Sequence, residues 1–185
     1  MKPNWYFDLE MPGTGREEGL FPAPMRNRLL GILHAFFSEH PHTYAVALPK
    51  ERTRLRVFAS ELGDLDRLVD YLRPQHWIRD YVRLNYPFAV EENFSGPWQS
   101  FRRYRIPSAS SDRKTGDEHG RLRQKRMQKA VDGKMEYFIM RSRSTGQAFS
   151  FFIERLPGTA SRDECYPNSY GFAVSTRPFS LPDIP

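Results

Sequence analysis

The sequence predicts an α+β protein organised as two compact parts, one over residues 1–92 and a smaller, more irregular one over residues 93–185. Three observations predict it. Segments with period-two alternation and segments with helical apolar spacing interleave through the first half. The second half holds a basic helical run and then two alternating segments about a turn. At 185 residues two domains of ordinary size fit, and 39% apolar residues supply a core, while 15 prolines and 12 glycines require many turns.

Taken in order, Trp5, Phe7, Leu9 and Met11 alternate with Tyr6, Asp8 and Glu10, the period of a strand with one buried face. A loop rich in Gly and Pro follows. From Met25 to Phe37, residues Leu29, Leu30, Ile32, Leu33, Phe36 and Phe37 recur at helical spacing, after Pro22 and Pro24, which suit a helix start. Tyr44 to Leu48 and Leu55 to Ala59 read as short strands, the second with Arg54 and Arg56 on its outer face. Leu62, Leu65, Leu68, Val69 and Leu72 mark a second helix ended by Pro74, and Trp77 to Val90 offers a helical turn or a strand. The order β-α-β-β-α-β is the ferredoxin-like pattern, a common frame for RNA-binding domains that also hosts many unrelated functions.

Beyond Asn93, Ser100 to Ile106 is a candidate strand, and Pro107 to Gly120 is a polar loop containing SASSD and KTGDEHG. The run RLRQKRMQKA from Arg121 consists almost wholly of good helix formers. Met135 to Ser142 and Phe149 to Arg155 alternate about the turn SRSTGQ, which predicts a β-hairpin. A short strand is expected at Gly171 to Ser175, followed by the extended tail RPFSLPDIP.

Charge is distributed unevenly. The net charge is +6, yet residues 1–94 carry 12 Lys/Arg against 13 Asp/Glu, and residues 95–185 carry 16 against 9. Residues 102–134 alone hold 11 basic and 4 acidic residues, a patch that expects a polyanion. Other classes are disfavoured. No run approaches the length of a membrane span, and acidic residues at Asp8, Glu10, Glu17 and Glu18 replace the pattern of a secretory signal, so the expected location is cytoplasmic. The single cysteine, Cys165, excludes an internal disulfide, and no His or Cys pair has metal-ligand spacing; neither metal nor cofactor is expected. MPGTGREEG lacks the Gly-Lys-Ser/Thr ending of a phosphate-binding loop, and there is no Gly-x-Ser-x-Gly elbow.

On the helical projection Arg121, Lys125 and Lys129 share one face, flanked by Arg123 and Arg126, with only Leu122, Met127, Ala130 and Val131 available to pack. A solvated helix face is the plain reading of such a run. Few nearby acids, a second basic cluster FRRYR (Arg102, Arg103, Arg105) and the stacking face of Tyr104 favour nucleic acid. His34 falls at the edge of the first helix's apolar arc. A lone histidine there is usually packed or exposed, though imidazole can serve as a general base near neutral pH. His40, His42, His76 and His119 are read as surface residues in loops. Ser142, Ser144 and Thr145 ordinarily only shape a turn, and Tyr170 ordinarily only packs.

Together LLGILHAFF, RLRVFAS, FRRYR, RLRQKR, MRSRSTGQAFSFFIERLPG and SYGF resemble, almost end to end, the CRISPR repeat-processing endoribonucleases of subtype I-F, the Csy-four or Cas-six-f family. The resemblance implies a metal-independent cut in precursor CRISPR RNA at the 3′ base of the repeat stem-loop, by attack of a 2′-hydroxyl on the adjacent phosphate. It makes His34 the general base, Ser142 the holder of the ribose and Tyr170 the residue orienting the histidine. Ser144, Thr145 and Phe149 would line the site, Phe149 by stacking on a base. Arg121, Arg123, Lys125, Arg126 and Lys129 would lie along the RNA stem, and Arg103 would read a base near its foot. Arg102 belongs to the same basic cluster, and Arg105 stands where relatives often carry a second base-reading glutamine. The implied partners are the CRISPR repeat stem-loop and the backbone and other subunits of a type I-F surveillance complex, with a monomer when free. Two rivals remain at this stage: a non-cleaving hairpin-binding subunit, and an unrelated ferredoxin-like nucleic-acid-binding protein.

Overall fold

The computed structural model describes residues 1–11, 22–107, 117–142, 145–160 and 164–185. Among the described residues it is a mixed α+β structure with four helices and two antiparallel sheets. The first sheet comprises β1 (Trp5–Glu10), β2 (Ala45–Ala47), β3 (Arg54–Ala59), β4 (Arg83–Leu84) and β5 (Phe88–Ala89). Its order is β2-β3-β1-β4, with β5 also pairing β1. The helices of this half are α1 (Pro22–Glu39), α2 (Leu62–Leu72) and α3 (His76–Tyr81). The ambiguous stretch from Trp77 thus resolves into a short helix and two short strands.

The second sheet has the order β7-β8-β6-β9, from β6 (Trp98–Tyr104), β7 (Glu136–Arg141), β8 (Ala148–Gly158) and β9 (Leu181–Pro182). The expected hairpin is present as β7–β8, with Met140 opposite Phe149 and Arg141 opposite Ala148. Helix α4 (Asp117–Asp132) begins four residues before the basic run, inside the stretch expected to be a loop. Residues 171–175 form no strand; isolated bridges at Ala173 and Val174 stand in its place.

One apolar cluster runs through both halves. Leu29, Leu30, Leu33, Phe36 and Phe37 of α1 share it with Phe7, Leu9, Val57, Phe138, Phe151 and Phe172. The segment after Tyr170 links the sheets: Val46 N–H donates to the Gly171 carbonyl (2.8 Å) on one side, and Ala173 N–H donates to the Phe101 carbonyl (2.9 Å) on the other.

Two expectations need correction. Arg56 does not sit on an open outer face: it is 3% exposed, donates to both carboxylate oxygens of Asp8 (2.7 and 2.9 Å), and reaches the Ile184 and Pro185 carbonyls. The tail covers that face of the sheet, and the guanidinium satisfies the tail's carbonyls as well as the carboxylate. His40 is half-buried against the Phe36 ring, while His76 opens α3 and His119 lies within α4 rather than in loops. No helix among the described residues is long and apolar enough to cross a membrane.

Candidate active site and nucleic-acid face

The apolar arc of α1 is buried, and this fixes His34 at its rim, half-exposed to a cleft. His34 Nδ1 lies 2.9 Å from the carbonyl oxygen of Ser169. A carbonyl only accepts, so Nδ1 carries the proton in that bond and the neutral ring has its lone pair on Nε2. The Ser38 hydroxyl donates to the His34 carbonyl (2.6 Å), with its oxygen 3.4 Å from Nδ1. Against the flat of the imidazole lies the Tyr170 ring, centroids 3.8 Å apart and planes 5° from parallel. One edge and one face of the imidazole are thereby held.

A turn holds Tyr170 in turn. The Asn168 side-chain oxygen accepts from Tyr170 N–H (2.8 Å) and from Phe172 N–H (3.3 Å), and Gly171 N–H donates to the Asn168 carbonyl (2.8 Å). Gly171 has φ +82°, and a Cβ there would come within 2.6 Å of Val46 Cγ2, so this position needs glycine on both counts. Beyond Tyr170 the Phe151 ring follows at 4.5 Å, and the Arg103 guanidinium lies over Phe151 at 4.8 Å. Burial, and then the neighbouring charge of Arg105, press the Arg103 guanidinium below its ordinary value, with Tyr170 opposing.

The hairpin delivers Ser142 from the other side of the cleft. Ser142 N–H donates to the Gln147 carbonyl (2.9 Å), Gly146 N–H to the Ser142 carbonyl (2.9 Å), and Thr145 N–H to Ser142 Oγ (3.3 Å). The resulting cleft, about 730 Å³, is lined by Arg28, His34, Arg141, Ser142, Phe149 and Tyr170 among others. Residues 34, 142 and 170, which are distant in sequence, thus border one space. Thr145 borders an adjoining cleft of about 440 Å³ that shares Ser142 and Phe149. Ser144 lies outside the described residues. A larger cleft, about 1040 Å³, opens at the far end of the hairpin beneath the C-terminal part of α4 and contains no histidine.

The basic residues divide into two groups. Arg123 donates to the Pro107 carbonyl (2.6 Å) and Arg126 to the Arg105 carbonyl (2.7 Å), both from half-buried positions. Arg102 and Lys129 share Glu154, at 2.6 and 3.1 Å. Burial alone would raise the Glu154 carboxyl, but these two cations hold it below its ordinary value. Lys129 also lies over the Tyr104 ring at 5.4 Å. Arg121 and Lys125 are exposed and have no such tie among the described residues. Arg102 and Arg103 are neighbours on a strand and point to opposite faces, so FRRYR serves two surfaces.

A family model described as CRISPR-associated protein (Cas_Csy4) matches residues 14–182. The chain belongs to this family. No curated protein matches it. As a member of the Csy-four family the protein has a role in CRISPR-associated RNA processing, in a family whose members are generally endoribonucleases. In this Csy-four protein the cleft brings together an imidazole whose Nδ1 is held by a carbonyl, a serine hydroxyl and a stacked ring. Among the described residues no group of three or more His, Cys, Asp or Glu side chains is placed to hold a metal ion.

Sequence reasoning missed Arg28, Arg141 and the turn residues Asn168 and Ser169. Nothing local marked Arg28, whose place in the cleft rests on Trp77 and the hairpin. Asn168 carried the weaker signal of an Asn placed before a Gly-containing turn.

Proposed function

We propose that the protein is a metal-independent endoribonuclease that grips the stem-loop of CRISPR repeat RNA and cleaves precursor CRISPR RNA at the 3′ base of the stem. His34 Nε2 takes the proton of the 2′-hydroxyl, the 2′-oxygen attacks the adjacent phosphate, and a 2′,3′-cyclic phosphate and a 5′-hydroxyl result. The observation that carries this reading is the Ser169 carbonyl on His34 Nδ1, which leaves Nε2 as the basic nitrogen. An intramolecular nucleophile needs only deprotonation and in-line placement, so a base with positioning groups suffices. Ser142 holds the ribose, Tyr170 keeps the imidazole in plane, and Phe149 and Thr145 border the scissile nucleotides. Arg121 and Lys125 meet phosphates, Arg123 and Arg126 add the donors not used on carbonyls, and Arg103 and Arg105 face the stem foot. The product stays bound, making the protein a subunit of a type I-F surveillance complex, monomeric when free and cytoplasmic. A ferredoxin-like first domain ending near residue 92 is part of the same proposal, supported by the all-antiparallel order β2-β3-β1-β4.

The test is His34→Ala with a cognate repeat. Cleavage should fall by at least about 10²–10⁴-fold, the usual worth of a general base, with binding almost unchanged. Cutting by the unaltered protein should persist in EDTA and stop when the ribose 5′ to the cut lacks its 2′-hydroxyl. A requirement for metal, or loss of binding along with cleavage in the variant, overturns the reading.

A further inference from the structure

In the reaction proposed above, a base alone leaves one problem unsolved. As the 2′-oxygen bonds to phosphorus, negative charge builds on the non-bridging oxygens; the positive charge that His34 gains with the proton lies beside the 2′-oxygen, and Ser142 and Tyr170 carry none to meet the charge on the phosphate. Fixed donors aimed at developing charge are usually the largest single contribution to such a step. Two cations border the cleft, Arg28 and Arg141. Of these, Arg28 has its guanidinium laid over the Trp77 ring of α3, 4.9 Å from the centroid. Stacking of this kind fixes the plane of the group and leaves its in-plane N–H donors available to an anion. Arg141 has no such support among the described residues.

The helix supplies the spacing. Arg28, Gly31 and His34 succeed one another at three-residue steps on the cleft side of α1, so Arg28 and His34 stand about 9 Å apart along the axis. Gly31 leaves the surface between them without a side chain; a Cβ there would meet only Met140 Cε, at 3.9 Å. The cleft surface between them is thus bordered by an imidazole on one side and a stacked cation on the other.

We propose that Arg28 is a further catalytic residue: held by Trp77, it donates N–H bonds to a non-bridging oxygen of the scissile phosphate and balances the charge of the transition state. This rests on the cleavage reading given above. In the step, the 2′-O–H proton passes to His34 Nε2, the 2′-O–P bond forms, the P–O5′ bond breaks, and the leaving 5′-oxygen takes a proton from solvent. Arg28 forms and breaks no covalent bond.

The experiment is single-turnover cleavage of a cognate repeat at saturating protein, with affinity measured separately on a 2′-deoxy substrate. Arg28→Ala should cut roughly 100-fold more slowly, the typical loss for one such donor, with little change in affinity. Arg28→Lys, which keeps the charge but not the planar fork, should recover part of the rate. Sulfur in place of a non-bridging oxygen at the cut should slow the unaltered protein more than Arg28→Ala. An Arg28→Ala rate equal to that of the unaltered protein overturns the inference, as does a loss confined to affinity, or a sulfur effect of undiminished size, which would assign the contact elsewhere. If the unaltered protein leaves the repeat intact, the cleavage reading itself falls and takes this inference with it. If that protein cuts and Arg28→Ala cuts equally well, only the role of Arg28 falls.

Discussion

Helices α1 and α4 differ in how they are held. Helix α1 is fixed by burial: Leu29, Leu30, Leu33, Phe36 and Phe37 are almost completely removed from solvent. Helix α4 has one buried apolar residue among those described, Ala130, and is secured by Arg123 and Arg126 on backbone carbonyls and by Lys129 on Glu154. Close packing admits few alternative positions, whereas long cationic side chains on carbonyl and carboxylate oxygens can exchange partners at small cost. The difference teaches a division of labour. The helix bearing His34 is placed by the core, and the basic helix α4 is placed by interactions of the kind a phosphate can replace.

The contrast can be broken most forcefully at Leu33. Leu33→Ala should cost about 2–5 kcal/mol in denaturant unfolding, the range for a large truncation in a packed core. A loss below about 1 kcal/mol would mean that α1 is not anchored as its burial implies. A smaller effect, on binding rather than folding, is expected at the free face of α4. Arg121→Glu with Lys125→Glu should weaken RNA binding by about 2 kcal/mol and flatten its dependence on salt, while unfolding stays nearly unchanged. An unchanged salt slope would remove this face from the interface.

The smallest effect belongs to Glu154. Glu154→Gln should lower stability by about 1 kcal/mol at neutral pH, because it removes the shared partner of Arg102 and Lys129. The carboxyl is held below its ordinary value, so the contribution is present above the unfolded carboxylate range and is lost as pH falls through the lower folded value. The gap between Glu154→Gln and the unaltered protein should therefore narrow as pH falls below the ordinary carboxylate range. A gap that persists in acid would show that the carboxylate charge is not what ties α4 to the sheet.

Much of α1, β3, α2 and the β7–β8 hairpin was legible because local periodicity and final burial agree there. Leu29 to Phe37 read as a helix and pack as one. Arg56 misled because alternation marks the open side of a strand but carries no record of a segment from the far end of the chain closing over it. The basic helix was visible as a charge pattern, yet a projection cannot say which arginines turn inward, since that depends on where carbonyls 105 and 107 lie. His34 stood out at the edge of its helix's apolar arc, but the roles of His34, Ser142 and Tyr170 came from resemblance, and their shared cleft depends on contacts between residues more than 100 positions apart. Arg28 went unnoticed for the same reason: its importance comes from Trp77 and the hairpin, neither of which its own helix predicts.

The close approach of Gly171 to Val46 has a consequence for the order in which the protein matures on the ribosome. Chains emerge N-terminal end first, and the turn that presents the Ser169 carbonyl and the Tyr170 ring is made after both α1 and α4. A nascent chain already carries α4 and its cations before the imidazole acquires either its hydrogen-bond partner or its stacked ring. In the proposed function, the basic helix is therefore synthesised before the surroundings of His34 are complete.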